Sequence, residues 1–308
     1  MKSTRKAYGE ALVELGKLDK DVVVLDADLA HATQTLMFKK EFPERHINVG
    51  IAEQDLVGTA CGLALSGKKV YLSSFAMFLA GRAYEQIRNT AAYSKVPVKL
   101  CATHSGLSVG EDGATHQMLE DISLMRTIPQ MIVLSPADEA STKKIIFNVK
   151  EYTKGPVYIR LGRCDVPEIY NEDDKFKIGG SKTFGNGSAA TIFATGYTLH
   201  IALEAMQMLK EKNIDVRVVD LYSIKPIDKE TIIKCAKETD KIITIEDHSV
   251  IGGIGTAVSD VLAEEYPKKV IKIGVNDMFG KSGTVKDLMN MYGITKEQII
   301  KEVLKKEE

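Results

Sequence analysis

The sequence contains no tryptophan and only four cysteines, none of them in a Cys-x-x-Cys pair. A zinc site or a disulfide framework needs closely spaced or numerous cysteines, so neither is supported. Three of the four lie in apolar runs, which is typical of reduced, buried thiols; the four are Cys61, Cys101, Cys164 and Cys235. This cysteine usage predicts a cytoplasmic protein.

Long apolar runs and an excess of one charge are also missing. No stretch has the roughly 20 apolar residues that a bilayer-crossing helix needs, and the N-terminal MKSTRKAYGEALVEL lacks the apolar centre of a secretory signal. The 41 Lys and Arg balance 42 Asp and Glu, and the net charge is −1. We therefore expect neither a nucleic acid nor a membrane as a partner.

The common nucleotide motifs are absent as well. The segment from Gly274 to Ser282 resembles a phosphate-binding loop, but five residues separate its glycines where that loop has four. No Gly-x-Gly-x-x-Gly occurs, so neither nucleotide hydrolysis nor dinucleotide binding is supported. His104 and His116 stand twelve residues apart, without the i, i+4 spacing of a helical metal pair, so no metal ligands are predicted in this chain.

The sequence does contain a regular alternation of short apolar strands with helices of ten or more residues. The alternation runs through the first half of the chain and begins again at residue 188. It predicts an α/β protein with two doubly wound, mainly parallel sheets. Residues 166–187 hold a proline, clustered acids and four glycines, so we predict domains at 1–165 and 188–308 joined by a linker at 166–187.

One helix start is predicted from local rules alone. Ser135 stands before Pro136, and acidic residues follow. Serine is a favoured N-cap and proline a favoured first helical residue, so this helix is predicted to begin at Pro136.

The stretch from Thr103 to Gln117, THSGLSVGEDGATHQ, is called the site loop below. It follows an apolar run at 96–102 and holds three glycines, two acids and two histidines. A polar loop at the carboxyl end of a parallel strand is a usual place for a ligand, and glycine lets a ligand approach the backbone closely. The loop is therefore the first candidate for a binding site.

Two further features fit one cofactor, thiamine diphosphate. Its aminopyrimidine ring needs a carboxylic acid facing a ring nitrogen, and a glutamate in an apolar setting has the raised pKa that suits this hydrogen bond. Glu53 stands between apolar residues, and Phe75 and Phe78 could supply a stacking wall for the ring. Each signal has an ordinary alternative: a phenylalanine pair at helical spacing is common in cores, and a glutamate is common at a helix start.

Several motifs together resemble the transketolase family along almost the whole chain. They are Gly-Ile-Ala-Glu-Gln, SSFAMF, the site loop, GPVYIRLGR, EDHSVIGGIG and VNDMFG, in the order and at the spacing of that family. The resemblance implies reversible transfer of a two-carbon ketol unit between sugar phosphates, as in the pentose phosphate pathway, with thiamine diphosphate as cofactor. It also implies that Glu53 activates the aminopyrimidine and that Phe75 and Phe78 form its aromatic wall.

The same resemblance implies roles for residues on the substrate side. His104 and His116 match histidines that exchange protons with sugar hydroxyls, and Asp112 matches the acid that reads the configuration of the donor's hydroxyl. Arg163 and Arg5 match arginines that bind the substrate phosphate, for which a planar guanidinium is suited.

Two departures from the family pattern carry consequences. Ala32 stands where the family has a serine that assists phosphate binding. No Gly-Asp-Gly occurs, although the family uses that motif to hold the cofactor diphosphate through Mg²⁺ or Ca²⁺. We therefore expect the C-terminal subunit of a split transketolase, active in an α₂β₂ assembly with an N-terminal subunit that carries the diphosphate and metal motif.

Three alternatives remain open at this point. A 1-deoxyxylulose-5-phosphate synthase has an arginine where this chain has His104-Ser105, and the site loop does not match a 2-oxo acid dehydrogenase β-subunit. The third alternative is a scaffold subunit of the same fold without activity, against which the retained acids, histidines and aromatics argue. His248 in the second domain is interpreted as a structural histidine, and that domain as serving dimer assembly.

Overall fold

Two mainly parallel sheets form the scaffold of this computed structural model, which describes residues 1–306. Its strands are β1 Lys2–Ser3, β2 Val22–Asp26, β3 His46–Asn48, β4 Lys69–Phe75, β5 Lys99–Thr103, β6 Ile132–Leu134, β7 Val157–Arg160, β8 Asp165–Val166, β9 Lys182–Phe184, β10 Ala190–Ala194, β11 Arg217–Asp220, β12 Ser223–Lys225, β13 Lys241–Ser249 and β14 Val270–Val275.

Helices cover both sheets. The α-helices are α1 Thr4–Leu18, α2 Ala30–Thr33, α3 Leu36–Glu41, α4 Glu53–Leu65, α5 Tyr84–Gln86, α6 Asp121–Thr127, α7 Glu139–Val149, α8 Thr198–Lys210, α9 Lys229–Glu238, α10 Ile254–Glu265, α11 Val285–Met291 and α12 Lys296–Leu304. Two π-helical segments, Met77–Arg82 and Ile87–Tyr93, flank α5, and 3-10 turns cover Pro43–Arg45 and Leu107–Asp112. None of the helices within residues 1–306 is long and apolar enough to cross a membrane.

The first sheet has seven strands in the order β12-β6-β7-β5-β4-β2-β3. All pairs are parallel except the edge pair of β12 with β6. The inner strands read as continuous apolar runs because helices cover both of their faces. Each of the five residues of β2 is buried, for example.

The second sheet has five strands in the order β14-β13-β10-β11-β9. Its pairs are parallel except that of β9 with β11. Two mainly parallel α/β sheets are the predicted fold class, which is confirmed. Short edge strands such as β9 and β12 have no sequence signal of their own, because three residues cannot show a periodic pattern.

The two halves of the chain share contacts across the predicted boundary. β12, from the second half, completes the first sheet, and β9 lies inside the predicted linker. One apolar core contains residues of both halves, including Tyr8 and Ile159 from the first and Ile245 and Val275 from the second. The numerical domain boundaries stay a prediction, but the two sheets are joined by a common interior.

The predicted start of α7 is wrong. The helix begins at Glu139 and its N-cap is Asp138, whose Oδ1 accepts a hydrogen bond from the Ser141 amide at 2.9 Å. Asp138 is buried, and its Oδ2 also accepts from the amides of Ile169 and Tyr170, both at 2.8 Å. A carboxylate that satisfies three backbone N–H groups is a better cap here than the hydroxyl of Ser135.

We expect Asp138→Ala to lower the free energy of unfolding by about 2–4 kcal/mol, since it removes a helix cap and leaves the amides of Ile169 and Tyr170 without an acceptor. Urea denaturation measures the change. The control is Asp173→Ala, which alters an exposed aspartate in the segment that also contains Ile169 and Tyr170. This change should leave the free energy of unfolding within about 0.5 kcal/mol of the wild type. Equal stability of the two variants would contradict the assigned role of Asp138.

Candidate functional site

The candidate site lies where neighbouring parallel strands of the first sheet end. β2, β4 and β5 are adjacent and end at Asp26, Phe75 and Thr103. Because parallel strands point the same way, their carboxyl ends meet at one edge of the sheet, and the segments that follow them lie side by side. The site loop leaves β5 at this edge, and the segment after β3 brings Glu53 to the same edge.

Glu53 is the first residue of α4 and is 1% exposed. Its Oε1 accepts a hydrogen bond from Ser74 Oγ at 3.1 Å, and its Oε2 accepts from Arg82 Nη1 at 2.6 Å. The expected apolar setting is therefore only partly correct: the carboxylate is buried, but a guanidinium and a hydroxyl contact it. A buried carboxylate is stabilised by such partners, and the Arg82 side chain reaches it while remaining about half exposed.

Arg82, which donates to this carboxylate, also lies against a cluster of four aromatic rings. Phe75 stacks on His104, with ring centroids 3.8 Å apart, and lies nearly parallel to Phe78 at 5.7 Å. His116 meets Phe78 edge-on at 5.3 Å, and the guanidinium of Arg82 lies 4.8 Å from the Phe78 centroid. Phe75 and Phe78 are thus part of an aromatic shelf that includes both histidines of the site loop.

The hydrogen bonds of His104 fix its tautomer. Arg5 Nη1 lies 3.2 Å from His104 Nε2, and an arginine can only donate, so Nε2 is the acceptor. The proton therefore resides on Nδ1, which donates to Thr103 Oγ1 at 2.9 Å. Burial, aided by the charges of Arg5 and Arg163, lowers the pKa of His104 to about 3. The ring is neutral at physiological pH.

Two arginines line the site on the side of His104. Arg5 also donates from Nη1 to the carbonyl oxygen of Ala32 at 2.9 Å, which places Ala32 beside this guanidinium. The backbone amide of Arg5 donates to the carbonyl oxygen of Gly162 at 3.4 Å, which places Arg5 next to the segment that carries Arg163, and burial and the charge of Arg163 lower the pKa of Arg5. Guanidinium groups in such a position have the donor geometry that suits an anion.

Acidic residues of the site loop balance one of these arginines. Arg163 Nη1 lies 3.6 Å from a carboxylate oxygen of both Glu111 and Asp112, and it also donates to the carbonyl oxygen of Val109. Asp112 is partly exposed, so its side chain is accessible to solvent. All eight residues singled out in the sequence thus lie in one connected cluster, although their roles stay predictions.

Sequence reasoning missed two residues of this cluster, Arg82 and Ser74. Both lie in the segment SSFAMFLAGR. The spacing of Arg82, four residues after Phe78, is a signal for a shared helical face, and the structure confirms that the two side chains touch. Ser74 could not be found from the alternation of buried and exposed residues in a strand, because every residue of β4 after Lys69 is buried.

This arrangement offers specific chemistry. A buried carboxylate beside aromatic rings suits the polar edge and the face of a heteroaromatic ring, and the paired arginines suit a phosphate or a similar anion. A neutral histidine between them can accept or return a proton of a hydroxyl group. Within residues 1–306, no three His, Cys, Asp or Glu side chains group as metal ligands.

We expect the ring of His104 to stay neutral between about pH 8 and about pH 5, because its folded pKa lies far below the usual value of about 6.5. Imidazole NMR of the chain, assigned with His104→Gln, measures this. Since the unfolded chain takes up this proton first, His104 contributes stability above about pH 6.5 that is lost as the pH falls toward 3. A ring titrating near pH 6.5 would contradict the buried geometry.

The fold and the site define a two-domain α/β protein with a cluster of polar and aromatic side chains at the carboxyl edge of its first parallel sheet. The sequence matches the family described as transketolase, pyrimidine binding domain, over residues 1–168 and that described as transketolase, C-terminal domain, over residues 181–299. The chain belongs to the transketolase family.

Its relatives include both half-length and full-length proteins. A putative transketolase C-terminal section of Methanocaldococcus jannaschii is 51% identical over 306 residues, covering 98% of this chain and 96% of that protein. One subunit of the apulose-4-phosphate transketolase of Phocaeicola vulgatus is 41% identical, covering 99% and 97%. The transketolase of Rattus norvegicus is 40% identical over 98% of this chain, but the match covers only 48% of that protein.

A solved structure supports the same assignment. It is described as a split-gene transketolase, an inactive β4 tetramer, and superposes with a TM-score of 0.91 at 48% identity. The match covers 98% of this chain and 97% of that one. The predicted membership in the transketolase family, with a pyrimidine-binding and a C-terminal domain in one chain, is confirmed.

Proposed function

We propose that this chain is the C-terminal subunit of a thiamine-diphosphate-dependent transketolase, which transfers a two-carbon ketol unit reversibly between sugar phosphates. The observation that carries the proposal is the connected cluster from the buried carboxylate of Glu53, through the aromatic shelf, to the paired arginines Arg5 and Arg163. The cluster supports the proposal because it brings groups suited to a pyrimidine ring and groups suited to a phosphate together at one sheet edge.

The residues at this sheet edge fit the pyrimidine end of the cofactor, because their chemical groups match what that ring needs. Glu53 is a buried carboxylate that can hold a proton shared with a ring nitrogen, and Phe75 and Phe78 form an aromatic shelf beside it. When bound, thiamine diphosphate supplies a nucleophilic carbon and an electron sink for cleaving a bond next to a carbonyl group.

The same geometry supports the roles that we propose on the substrate side. Neutral His104 holds its acceptor nitrogen, Nε2, toward Arg5; in the proposal a sugar hydroxyl takes the place of Arg5 at this nitrogen and exchanges a proton with it. His116 stands edge-on to the shelf and contributes a second such group. Arg5 and Arg163 orient the substrate through its phosphate, and the partly exposed Asp112 contacts a donor hydroxyl.

The proposal includes a separate N-terminal subunit that carries the diphosphate and the Mg²⁺ or Ca²⁺ ion, in an α₂β₂ assembly. The absence of Gly-Asp-Gly from the 308 residues supports this division. So does the coverage of only 48% of the rat transketolase, together with the names of two half-length relatives, one a C-terminal section and the other a transketolase subunit. The related tetramer described as inactive contains the β chain alone.

The test is reconstitution. The chain alone, with cofactor and Mg²⁺, should not convert xylulose 5-phosphate and ribose 5-phosphate, whereas the assembly with its N-terminal subunit should. Glu53→Gln should lower the rate of the assembly by about 10²–10⁴-fold, because it removes the proton-sharing carboxylate. The matched control Glu264→Gln, in an exposed part of α10, should retain full activity.

Three outcomes would reject parts of the proposal. Robust activity of the lone chain would reject the need for a partner. Unchanged turnover of Glu53→Gln would reject the catalytic assignment and favour a scaffold subunit. Turnover of pyruvate with glyceraldehyde 3-phosphate, in place of ketol transfer, would identify a 1-deoxyxylulose-5-phosphate synthase.

Ala32 provides a test of phosphate binding. Because Arg5 contacts the backbone of Ala32, position 32 is adjacent to a guanidinium that we propose binds the phosphate. We expect Ala32→Ser to lower KM for a phosphorylated ketose by about 2- to 10-fold, the effect of one hydrogen bond, with little change in kcat. Ala30→Ser, in the same helix α2, is the control. An equal change in KM for an unphosphorylated ketose would contradict the assignment.

A further inference from the structure

The three glycines of the site loop face the second domain. A β-carbon at Gly106 would overlap the Oδ2 atom of Asp247, and one at Gly113 would overlap the Oγ atom of Ser282. A β-carbon at Gly110 would lie 3.4 Å from Val285. Glycine at these positions therefore allows the second domain to approach the backbone of the site loop. From the sequence alone, the same glycines are expected to allow a ligand to approach.

Asp247 of β13 makes the closest of these approaches. Its Oδ1 accepts a hydrogen bond from the Leu107 amide at 2.6 Å, and its Oδ2 accepts from the Ser108 amide at 3.3 Å. The aspartate is 2% exposed. A buried carboxylate that receives two backbone N–H groups fixes the direction of that backbone segment. The segment begins three residues after His104.

The position of Asp247 is itself fixed by a buried ion pair. Arg160 Nη2 donates to the carbonyl oxygen of Asp247 at 2.7 Å, and Arg160 Nε donates to Asp121 Oδ2 at 2.9 Å. Arg160 and Asp121 are both buried and belong to the first domain. The backbone of Asp247 is thus held by one domain while its side chain holds the site loop.

The end of the site loop is attached in a similar way. Gln117 Nε2 donates to the carbonyl oxygen of Lys281 at 2.8 Å and to that of Gly110 at 3.0 Å. A β-carbon at Gly280 would overlap the Oε1 atom of Gln117, so this contact is also close. The loop is therefore attached to the second domain both near its start and at its end, and Asp112 and His116 lie between the two attachments.

We propose that Asp247 is a positioning residue of the active site, through which the second domain holds the site loop in the geometry that aims His104, Asp112 and His116 at the substrate. This inference rests on the proposed function for its catalytic consequence. It gives the second domain a role in substrate recognition beyond assembly. That role depends on the carboxylate of Asp247 and the two backbone amides of Leu107 and Ser108.

The first test needs no activity. Hydrogen exchange, resolved to single amides, is measured on the full chain for the wild type, Asp247→Ala and Asp247→Asn, with Asp240→Ala, an exposed aspartate of the same domain, as control. We expect Asp247→Ala to lower protection of Leu107 and Ser108 by about 10- to 100-fold, with amides of β5 and β10 unchanged. Unchanged protection at Leu107 and Ser108 would overturn the proposal.

Asp247→Asn keeps the proposal testable if the alanine variant does not fold. Its amide oxygen can still accept from Leu107, but its NH₂ group cannot accept from Ser108. We therefore expect protection of Leu107 to be retained and that of Ser108 to fall. Equal loss at both amides, or loss at neither, would contradict the assigned hydrogen bonds.

The second test uses the reconstituted enzyme. In Asp247→Ala, kcat/KM for a ketose phosphate should fall by about 10- to 100-fold, with Asp247→Asn in between. Affinity for thiamine diphosphate should change less than about 2-fold, because Glu53, Phe75 and Phe78, the groups assigned to the pyrimidine ring, all lie outside the loop. A parallel loss of cofactor affinity, or unchanged kcat/KM, would overturn the positioning role. If the wild-type assembly lacks ketol transfer, the proposed function fails while the exchange result still tests the contact.

Discussion

The buried guanidinium of Arg160 joins the two domains of this protein. It donates to Asp121 in its own domain and to the backbone of Asp247 in the other, and Tyr158 donates to the same Asp121 carboxylate at 2.9 Å. Burial raises the pKa of Asp247, and the charge of Arg160 opposes that rise. Charges without water are costly unless each has its partner in place, so only a narrow range of domain orientations satisfies this set. The site loop, held by Asp247, depends on that orientation.

The parallel sheet imposes the second constraint. Adjacent strands that point the same way must release their chains at the same edge, which is why residues far apart in sequence, such as Glu53, Phe75 and His104, form one cluster. Within that cluster each polar group has a partner of its own: Glu53 has Arg82 and Ser74, and His104 has Arg5 and Thr103. These pairings hold the side chains in defined rotamers before any ligand arrives, which limits the entropy lost on binding.

On the proposed function, this chain supplies one side of a cleft whose other side comes from a separate subunit. The division falls between two kinds of chemistry. Aromatic stacking and proton exchange need rigid, largely dry surroundings, which the sheet edge provides, whereas a divalent cation needs several oxygen ligands in a near-octahedral arrangement. The second domain then contributes through the loop that it holds, since its own buried histidine, His248, accepts a hydrogen bond from the Ser123 amide at 3.4 Å and is a structural contact between domains.

The sequence by itself determined the α/β class and the two sheets, because buried parallel strands are continuous apolar runs, and it marked the site loop, because a polar, glycine-containing loop follows one of those strands. Asp112, Arg5 and Arg163 were singled out by the family resemblance. The family resemblance rested on the same segments. Tertiary structure alone decided the cap at Asp138, the edge strands β9 and β12, the ion pair of Glu53 with Arg82, and the contact of Asp247 with the site loop. Each of these depends on atoms distant in sequence meeting in space, and neither propensity nor periodicity records such meetings.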